Sequence, residues 1–108
     1  MTGPEIAHAP RHGANPIVLL LNNSGWGIFR PIADRQDLLD LPSWPYAALA
    51  GAWGGWGVCV ETVGALRDAL AEAGRRKTFA VVEMVVDPDD HSPVARKYIA
   101  ASLRRGAK

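Results

Sequence analysis

A polar turn that follows an unbroken aliphatic run is the first place where this sequence could do chemistry. Ile17 to Leu21 are five consecutive aliphatic residues, and Asn-Asn-Ser-Gly follows them at positions 22–25. Such a run indicates a strand that is buried on both faces of a parallel sheet. Ligands of these sheets bind just beyond the carboxyl ends of the strands. Spacing alone leaves two interpretations open: a cofactor or metal site, and an ordinary strand-ending turn.

Composition excludes several classes of function. The chain has 108 residues, near the commonest size of a single domain, with twelve basic against eleven acidic residues. Because acids and bases are interleaved, no basic stripe is left for a nucleic acid. No signal peptide is found, and no apolar run approaches the ~20 residues that span a bilayer. We therefore predict a soluble cytoplasmic protein that binds neither nucleic acid nor membrane.

Periodicity and capping signals predict the elements that must position the turn. Strands are predicted at 17–21, 58–60 and 78–86, and helices at 3–12, 44–52, 63–73 and 94–103. The expected N-caps are Ser43, Thr62 and Ser92, and the expected stops are Gly13 and Gly74. The long segment 24–42 is rich in aromatic residues and leucines, so we expect it to be ordered. This alternation predicts an α/β fold, a three-layer α/β/α open sheet with mainly parallel strands.

Two further residues invite a chemical interpretation. Cys59 stands inside an apolar run, so we expect a buried, unreactive thiol. Glu83 lies in the predicted strand 78–86, where a catalytic carboxylate is conceivable. Because buried carboxylates are normally paired, we instead expect a structural partner such as Arg67 or Lys77.

The turn and four other stretches resemble the diphosphate-binding domain of thiamine-diphosphate-dependent enzymes, above all the pyruvate, indolepyruvate and phenylpyruvate decarboxylase group. They are Leu-Asn-Asn-Ser-Gly-Trp-Gly (21–27), Met-Thr-Gly-Pro-Glu (1–5), Asn-Pro-Ile-Val-Leu-Leu (15–20), Trp-Pro-Tyr-Ala-Ala-Leu-Ala (44–50) and Gly-Val-Cys-Val-Glu-Thr-Val (57–63). The resemblance covers essentially the whole chain. It implies that 1–108 are the C-terminal part of an incomplete thiamine-diphosphate-binding fold. Its expected parts are a helix (1–13), a cofactor-binding strand and loop (16–43), an α/β core (44–92) and a C-terminal helix (93–108).

The resemblance also implies which residues bind the cofactor. Thiamine diphosphate is expected to contact Asn23, Ser24, Gly25, Trp26 and Gly27. Mg²⁺ is expected to bind the side-chain oxygen of Asn23 and the main-chain carbonyl of Gly25, which are the hard oxygen ligands that this ion prefers. Gly25 and Gly27 are expected to let the main chain approach the diphosphate closely.

Two departures from the family pattern limit these expectations. The family's Gly-Asp-Gly motif, whose aspartate is a charged metal ligand, is absent from the sequence. We therefore expect weak affinity for Mg²⁺-thiamine diphosphate and an upstream segment that would carry the motif. Many family decarboxylases have a catalytic glutamate at the position of Phe29, and a phenyl ring cannot transfer a proton. Ile28 and Phe29 are instead expected to shape a substrate pocket.

Taken with the resemblance, the sequence predicts the thiamine diphosphate and Mg²⁺ binding portion of a 2-oxo-acid decarboxylase, a lyase for a bulky substrate such as an aryl pyruvate. Two alternatives stay open: a piece of an acetolactate-synthase-like carboligase, and a non-catalytic truncated remnant. In the family, the glutamate that activates the cofactor belongs to another domain on a neighbouring subunit. The chain alone is therefore not expected to be catalytically competent, and a homodimer or homotetramer is expected in the full-length context.

Overall fold

The computed structural model describes residues 3–106, which fall into two compact units. The first unit contains residues 3–22 and 44–85, and the second contains 23–43 and 86–106. Residues 1–2 of the first predicted helix and 107–108 of the last one lie outside the described residues.

The first unit is built on a three-stranded parallel sheet. Its strands are β1 (Ile17–Asn22), β2 (Trp56–Val60) and β3 (Ala80–Val85), in the order β1-β3-β2. β3 is the central strand, and its first residue lies opposite the first residues of both β1 and β2. The predicted open α/β sheet with parallel strands is confirmed.

Helices cover the two faces of this sheet. They are a 3₁₀ helix at Pro4–His12, α1 (Tyr46–Ala52) and α2 (Val63–Arg75). In the centre of β3, Val81 packs with Ala50 of α1, while Val82 packs with Ala69 of α2. Successive side chains of a strand point to opposite faces. The first unit therefore has three layers, with α1 and α2 on opposite sides of the sheet.

The ends of these helices test the capping signals. Thr62 caps α2 as predicted, since its hydroxyl oxygen accepts the Ala65 N–H at 3.1 Å. Gly13 ends the first helix as predicted, with a left-handed φ of 67° that glycine adopts readily. Gly74 is not a stop, because α2 continues to Arg75. Gly74 lies inside the last turn of α2, where the chain does not need a residue with a left-handed conformation.

The predicted start of α1 is also wrong. Ser43 does not cap it, because the helix begins at Tyr46, directly after Pro45. Proline has no N–H and a fixed φ, which suits the entry to a helix rather than its interior. The cap comes from outside the helix: Glu83 Oε2 on β3 accepts the Ala47 N–H at 3.2 Å.

Burial of β1 on both faces is contradicted for the described residues. β1 lies at an edge of the sheet and pairs with β3 alone. Ile17, Leu19 and Leu21 are 41%, 47% and 68% exposed. An aliphatic run indicates that both faces of a strand favour apolar neighbours. It does not indicate which part of a protein supplies those neighbours. Within residues 3–106, no strand lies beyond β1.

The second unit is mainly irregular. It holds two short 3₁₀ helices, Gly27–Phe29 and Gln36–Leu38, and one long helix, α3 (Pro93–Gly106). Ser92 caps α3 as predicted, because its hydroxyl oxygen accepts the Ala95 N–H at 3.2 Å. Across residues 3–106, the helices are too short or too polar to cross a membrane.

Cys59 is exposed, so the prediction of a buried thiol is wrong. It lies on β2, the other edge of the sheet, opposite Glu83 in the strand register. Partial loss of water around the sulfur raises the pKa of the Cys59 thiol, and the negative charges of Glu83 and Glu61 raise it further. The thiol is accessible but is a poor nucleophile near neutral pH.

A raised pKa lowers the thiolate fraction at any given pH, so alkylation of Cys59 is expected to be slow in the folded chain. The rate with iodoacetamide should rise with pH, and its midpoint should be higher in the native chain than in the urea-unfolded chain. Cys59 is the single cysteine, so the signal is unambiguous. An equal or lower midpoint in the native chain would contradict the assigned environment.

Candidate functional site

The expected cofactor residues form a sharp turn within the second unit. Ser24 has a φ of 57°, a left-handed conformation that is uncommon outside glycine. Next to it, the Gly25 N–H donates to the Asn23 Oδ1 at 3.3 Å. A side-chain oxygen that accepts the N–H two residues later closes an asparagine turn. The turn therefore fixes the side-chain oxygen that was expected to bind the metal.

The other end of the Asn23 amide lies against Gly27. This glycine is buried, and a Cβ added to it would lie 2.7 Å from the Asn23 Nδ2 and 3.5 Å from the Pro88 carbonyl oxygen. A side chain at this position would have to displace the asparagine amide, which fills the space that its Cβ would need. The expected close approach of the Gly27 main chain to a diphosphate stays a prediction. The Asn23 amide oxygen therefore accepts a hydrogen bond, and the amide nitrogen lies close to Gly27.

Gly25 is held by a short antiparallel bridge with Asp40. The bridge has two hydrogen bonds: the Trp26 N–H donates to the Leu39 C=O at 2.9 Å, and the Leu41 N–H donates to the Ser24 C=O at 3.0 Å. Both are made by neighbours of Gly25 and Asp40. The Gly25 carbonyl oxygen accepts neither of them, so the bridge fixes this main chain without using the oxygen that was expected to bind the metal.

Three exposed apolar side chains follow the turn. Trp26, Ile28 and Phe29 are each about half exposed or more. The rings of Trp26 and Phe29 contact each other with centroids 6.3 Å apart and planes tilted by 49°. This surface offers aromatic contact and has no ionisable group of its own. The expected pocket residues Ile28 and Phe29 are thus accessible and adjacent to the turn.

The side chain of Asn22, the first residue of the polar sequence, bonds to Glu83. It is the last residue of β1, and its Nδ2 donates to the Glu83 Oε1 at 2.8 Å. Glu83 is 5% exposed, and its other oxygen accepts the Ala47 N–H. The predicted partners, Arg67 or Lys77, are wrong. A carboxylate that accepts two neutral N–H donors satisfies its hydrogen bonds without a buried cation.

Arg30 and Asp40 border the turn, and sequence reasoning did not single them out. The Arg30 Nη2 lies 2.7 Å from the Asp40 Oδ1. The guanidinium is mostly buried, whereas the carboxylate is mostly exposed. A lone basic residue after the aromatic run and an acid ten residues later were visible in the sequence, but only the bridge at Gly25 brings them together.

The turn offers oxygen ligands that suit a hard cation, but neither of these oxygens carries a negative charge. The Asn23 Oδ1 and the Gly25 carbonyl are neutral oxygens of the type that Mg²⁺ takes. Within residues 3–106, no group of three or more His, Cys, Asp or Glu side chains could hold a metal ion. The residues therefore fit a divalent ion whose charge is balanced by anionic oxygens from another source, such as a diphosphate.

Comparison with known proteins identifies the kind of domain to which this turn belongs. The family described as thiamine pyrophosphate enzyme, C-terminal TPP binding domain, matches residues 1–84. The chain belongs to this family. The matched region includes the whole turn and nearly all of the parallel sheet. Membership confirms the resemblance seen in the sequence, and thiamine diphosphate is the cofactor of this family.

A curated relative supports the same assignment. The chain is 32% identical over 105 residues to indole-3-pyruvate decarboxylase of Azospirillum brasilense. This alignment covers 96% of the chain but 19% of the relative. The chain thus spans about a fifth of the length of the curated relative that it matches. The match to the thiamine pyrophosphate enzyme family is therefore a match of one domain.

Proposed function

We propose that this chain is the thiamine diphosphate and Mg²⁺ binding portion of a decarboxylase for a bulky 2-oxo acid, such as an aryl pyruvate. The observation that carries the proposal is the Asn23 side-chain oxygen, which accepts the Gly25 N–H in a sharp turn of a domain of the thiamine pyrophosphate enzyme family. A side-chain oxygen that closes a turn is restrained in its orientation. Such preorganisation favours metal binding because little order has to be gained on binding.

In the proposed site, Mg²⁺ binds the Asn23 side-chain oxygen and the Gly25 carbonyl oxygen. Thiamine diphosphate, when bound, supplies the electron sink for the loss of CO₂. This chain's residues bind and orient: Asn23 and Gly25 hold the ion, and the main chain of Ser24 to Gly27 lies beside the diphosphate. Because both protein oxygens are neutral, the diphosphate has to balance the charge of the ion. Metal and cofactor are therefore expected to bind together.

Bulky substrates are proposed because of the apolar surface beside the turn. Trp26, Ile28 and Phe29 offer a large aromatic and aliphatic contact area. Phe29 has no proton to transfer, so its proposed role is to contact the substrate side chain. The name of the relative supports an aromatic 2-oxo acid, since indole-3-pyruvate carries an indole ring.

The proposal extends to the context of the chain. Residues 1–108 are proposed to be the C-terminal part of a thiamine-diphosphate-binding domain in a longer cytoplasmic enzyme. Its alignment to about a fifth of a decarboxylase supports this view. The enzyme is proposed to be a homodimer or homotetramer, since a complete catalytic centre needs acidic groups that the turn does not hold. By itself, this chain is proposed to bind cofactor without turning over substrate.

Substitution of Asn23 tests the metal site. Asn23→Ala removes one of two protein oxygens, and the affinity for thiamine diphosphate in the presence of Mg²⁺ is expected to fall by about tenfold or more. Asn23→Asp keeps the shape and adds a negative charge, so the affinity for Mg²⁺ is expected to rise. Isothermal titration calorimetry on the full chain measures both. Asn15→Ala, at an exposed asparagine before β1, is the matched control and should leave the affinity unchanged.

The two Asn23 variants should move in opposite directions. If both bind Mg²⁺ and cofactor as the unaltered chain does, Asn23 is not a ligand and the proposed site is wrong. If the unaltered chain gives no heat with millimolar cofactor and Mg²⁺, it does not bind the cofactor. The alternative of a non-catalytic remnant is then favoured.

A further inference from the structure

Arg30 contacts both partners of the short bridge that holds Gly25. Its Nη2 pairs with the Asp40 Oδ1 at 2.7 Å, and Asp40 is the residue opposite Gly25. On the other side, a Cβ added to Gly25 would lie 2.7 Å from the same Nη2 and would overlap the Leu39 carbonyl oxygen. The guanidinium therefore lies directly against the Gly25 main chain.

The Arg30 side chain is positioned by its charged hydrogen bond to Asp40 and by its place beside the Gly25 main chain. Its side chain is 16% exposed, although a guanidinium is usually well hydrated. The buried Nε–H has no hydrogen-bond partner among the described residues. The chain around it is fixed as well, since the Arg30 N–H donates to the Gly27 C=O and the Arg30 C=O accepts from the Gln36 Nε2.

We propose that Arg30 is a positioning residue for the metal ligand Gly25, with Asp40 as its charge partner. The pair fixes Gly25 in the bridge, so that its carbonyl oxygen keeps one direction. This inference rests on the proposed function, in which that oxygen binds Mg²⁺. Asp40 has a second role, because an uncompensated guanidinium beside the site would repel a divalent cation and attract a diphosphate.

A second ion pair in the same segment provides matched controls. Arg35 and Asp37 pair at 2.6 Å, but both side chains are well exposed and neither borders Gly25. Arg35→Gln and Asp37→Asn therefore change the same residue types and the same net charge as Arg30→Gln and Asp40→Asn. Any effect that is found only in Arg30→Gln and Asp40→Asn therefore cannot come from net charge alone.

The first measurement is calorimetric titration of the full chain with thiamine diphosphate and Mg²⁺. Arg30→Gln is expected to weaken binding by about fivefold, and Arg35→Gln is expected to change nothing. Asp40→Asn should weaken Mg²⁺-dependent binding but strengthen the binding of metal-free thiamine diphosphate. Opposite signs from one substitution would not arise from simple destabilisation. Asp37→Asn should change neither affinity.

The second measurement needs no cofactor. Amide hydrogen exchange of Trp26, whose N–H bonds across the bridge, should be about fivefold faster or more in Arg30→Gln than in Arg35→Gln. Far-UV circular dichroism confirms that each variant is folded, and Asp40→Asn tests the pair with the shape of Asp40 retained.

The outcomes separate the inference from the function on which it rests. If the unaltered chain does not bind the cofactor, the proposed function fails, and Trp26 exchange alone decides whether Arg30 holds the turn. If the unaltered chain binds but the two arginine variants bind equally, Arg30 has no positioning role. Equal Trp26 exchange in the two variants would overturn the inference in either case.

Discussion

Replacing Gly57 by alanine is expected to destabilise the first unit by about 3 kcal/mol. Gly57 lies in β2, and a Cβ added to it would overlap the Ala47 carbonyl oxygen and lie 2.6 Å from its carbonyl carbon. These are main-chain atoms of α1, and α1 cannot easily withdraw because Glu83 holds the Ala47 N–H. The clash therefore has to be relieved by moving a helix away from the sheet.

Urea unfolding of the purified chain measures this effect, with Gly64→Ala as the matched control. Gly64 lies in α2 with open space where its Cβ would stand. There alanine improves helix propensity, so the control is expected to be neutral or to stabilise by up to ~1 kcal/mol. Equal stability of Gly57→Ala and the unaltered chain would show that α1 does not pack against β2 as closely as described.

Loss of the Glu83 carboxylate is expected to have a similarly large effect. Glu83→Ala leaves the Asn22 Nδ2 and the Ala47 N–H without their acceptor in the interior of the first unit. Unpaired buried donors cost about 1–3 kcal/mol each, so a loss of about 3 kcal/mol is expected. For a domain of this size, that loss lowers the melting temperature by about 10–20 °C. Glu61→Ala, at an exposed glutamate, should leave it nearly unchanged.

A double variant tests whether Asn22 and Glu83 are coupled through their hydrogen bond. Asn22→Asp alone places two carboxylates against each other, and Glu83→Gln alone offers one acceptor to two donors. Combined, the two substitutions exchange the roles: the new glutamine amide donates to the carboxylate introduced at position 22, and its oxygen accepts the Ala47 N–H. The double variant is therefore expected to be more stable than either single variant. Additive losses would show that the two side chains are not coupled through the hydrogen bond between Asn22 and Glu83.

Local signals were sufficient for most of the fold. Thr62 and Ser92 cap their helices as predicted, because a hydroxyl ahead of an apolar periodic segment bonds to an N–H only a few residues away. Ser43 carried the same signal and does not cap. The reason is not local: Pro45 delays the start of α1, and the acceptor for its first turn comes from Glu83, far along the chain.

Burial was harder to predict than secondary structure. The aliphatic run of β1 correctly indicated a strand, but its position at the sheet edge depends on the order β1-β3-β2, which periodicity does not encode. Cys59 was misjudged for the same reason, because β2 is the other edge. A residue pattern indicates whether a side chain favours burial. The order of the strands determines whether a neighbouring strand is present to bury it.

The candidate site was predictable at Asn23 and Gly25 but not at their supports. The Asn-Asn-Ser-Gly turn is a contiguous signal, and family resemblance gave its residues roles. The contacts that hold the turn come from Gly27, Arg30 and Asp40, which meet only when segment 23–43 folds. Nothing in their spacing predicts that a guanidinium lies against a glycine.

The central claim, that Asn23 and Gly25 bind a divalent ion together with thiamine diphosphate, is tested most directly by paramagnetic broadening. Mn²⁺ shares the octahedral oxygen preference of Mg²⁺ and broadens the NMR signals of nearby nuclei. In the ¹⁵N-labelled chain with thiamine diphosphate, substoichiometric Mn²⁺ should first broaden the Asn23 side-chain amide and the amides of residues 23–27. Asn23→Ala should lose this selective broadening. Signals of 23–27 that stay sharp, or identical broadening in Asn23→Ala, would contradict the account.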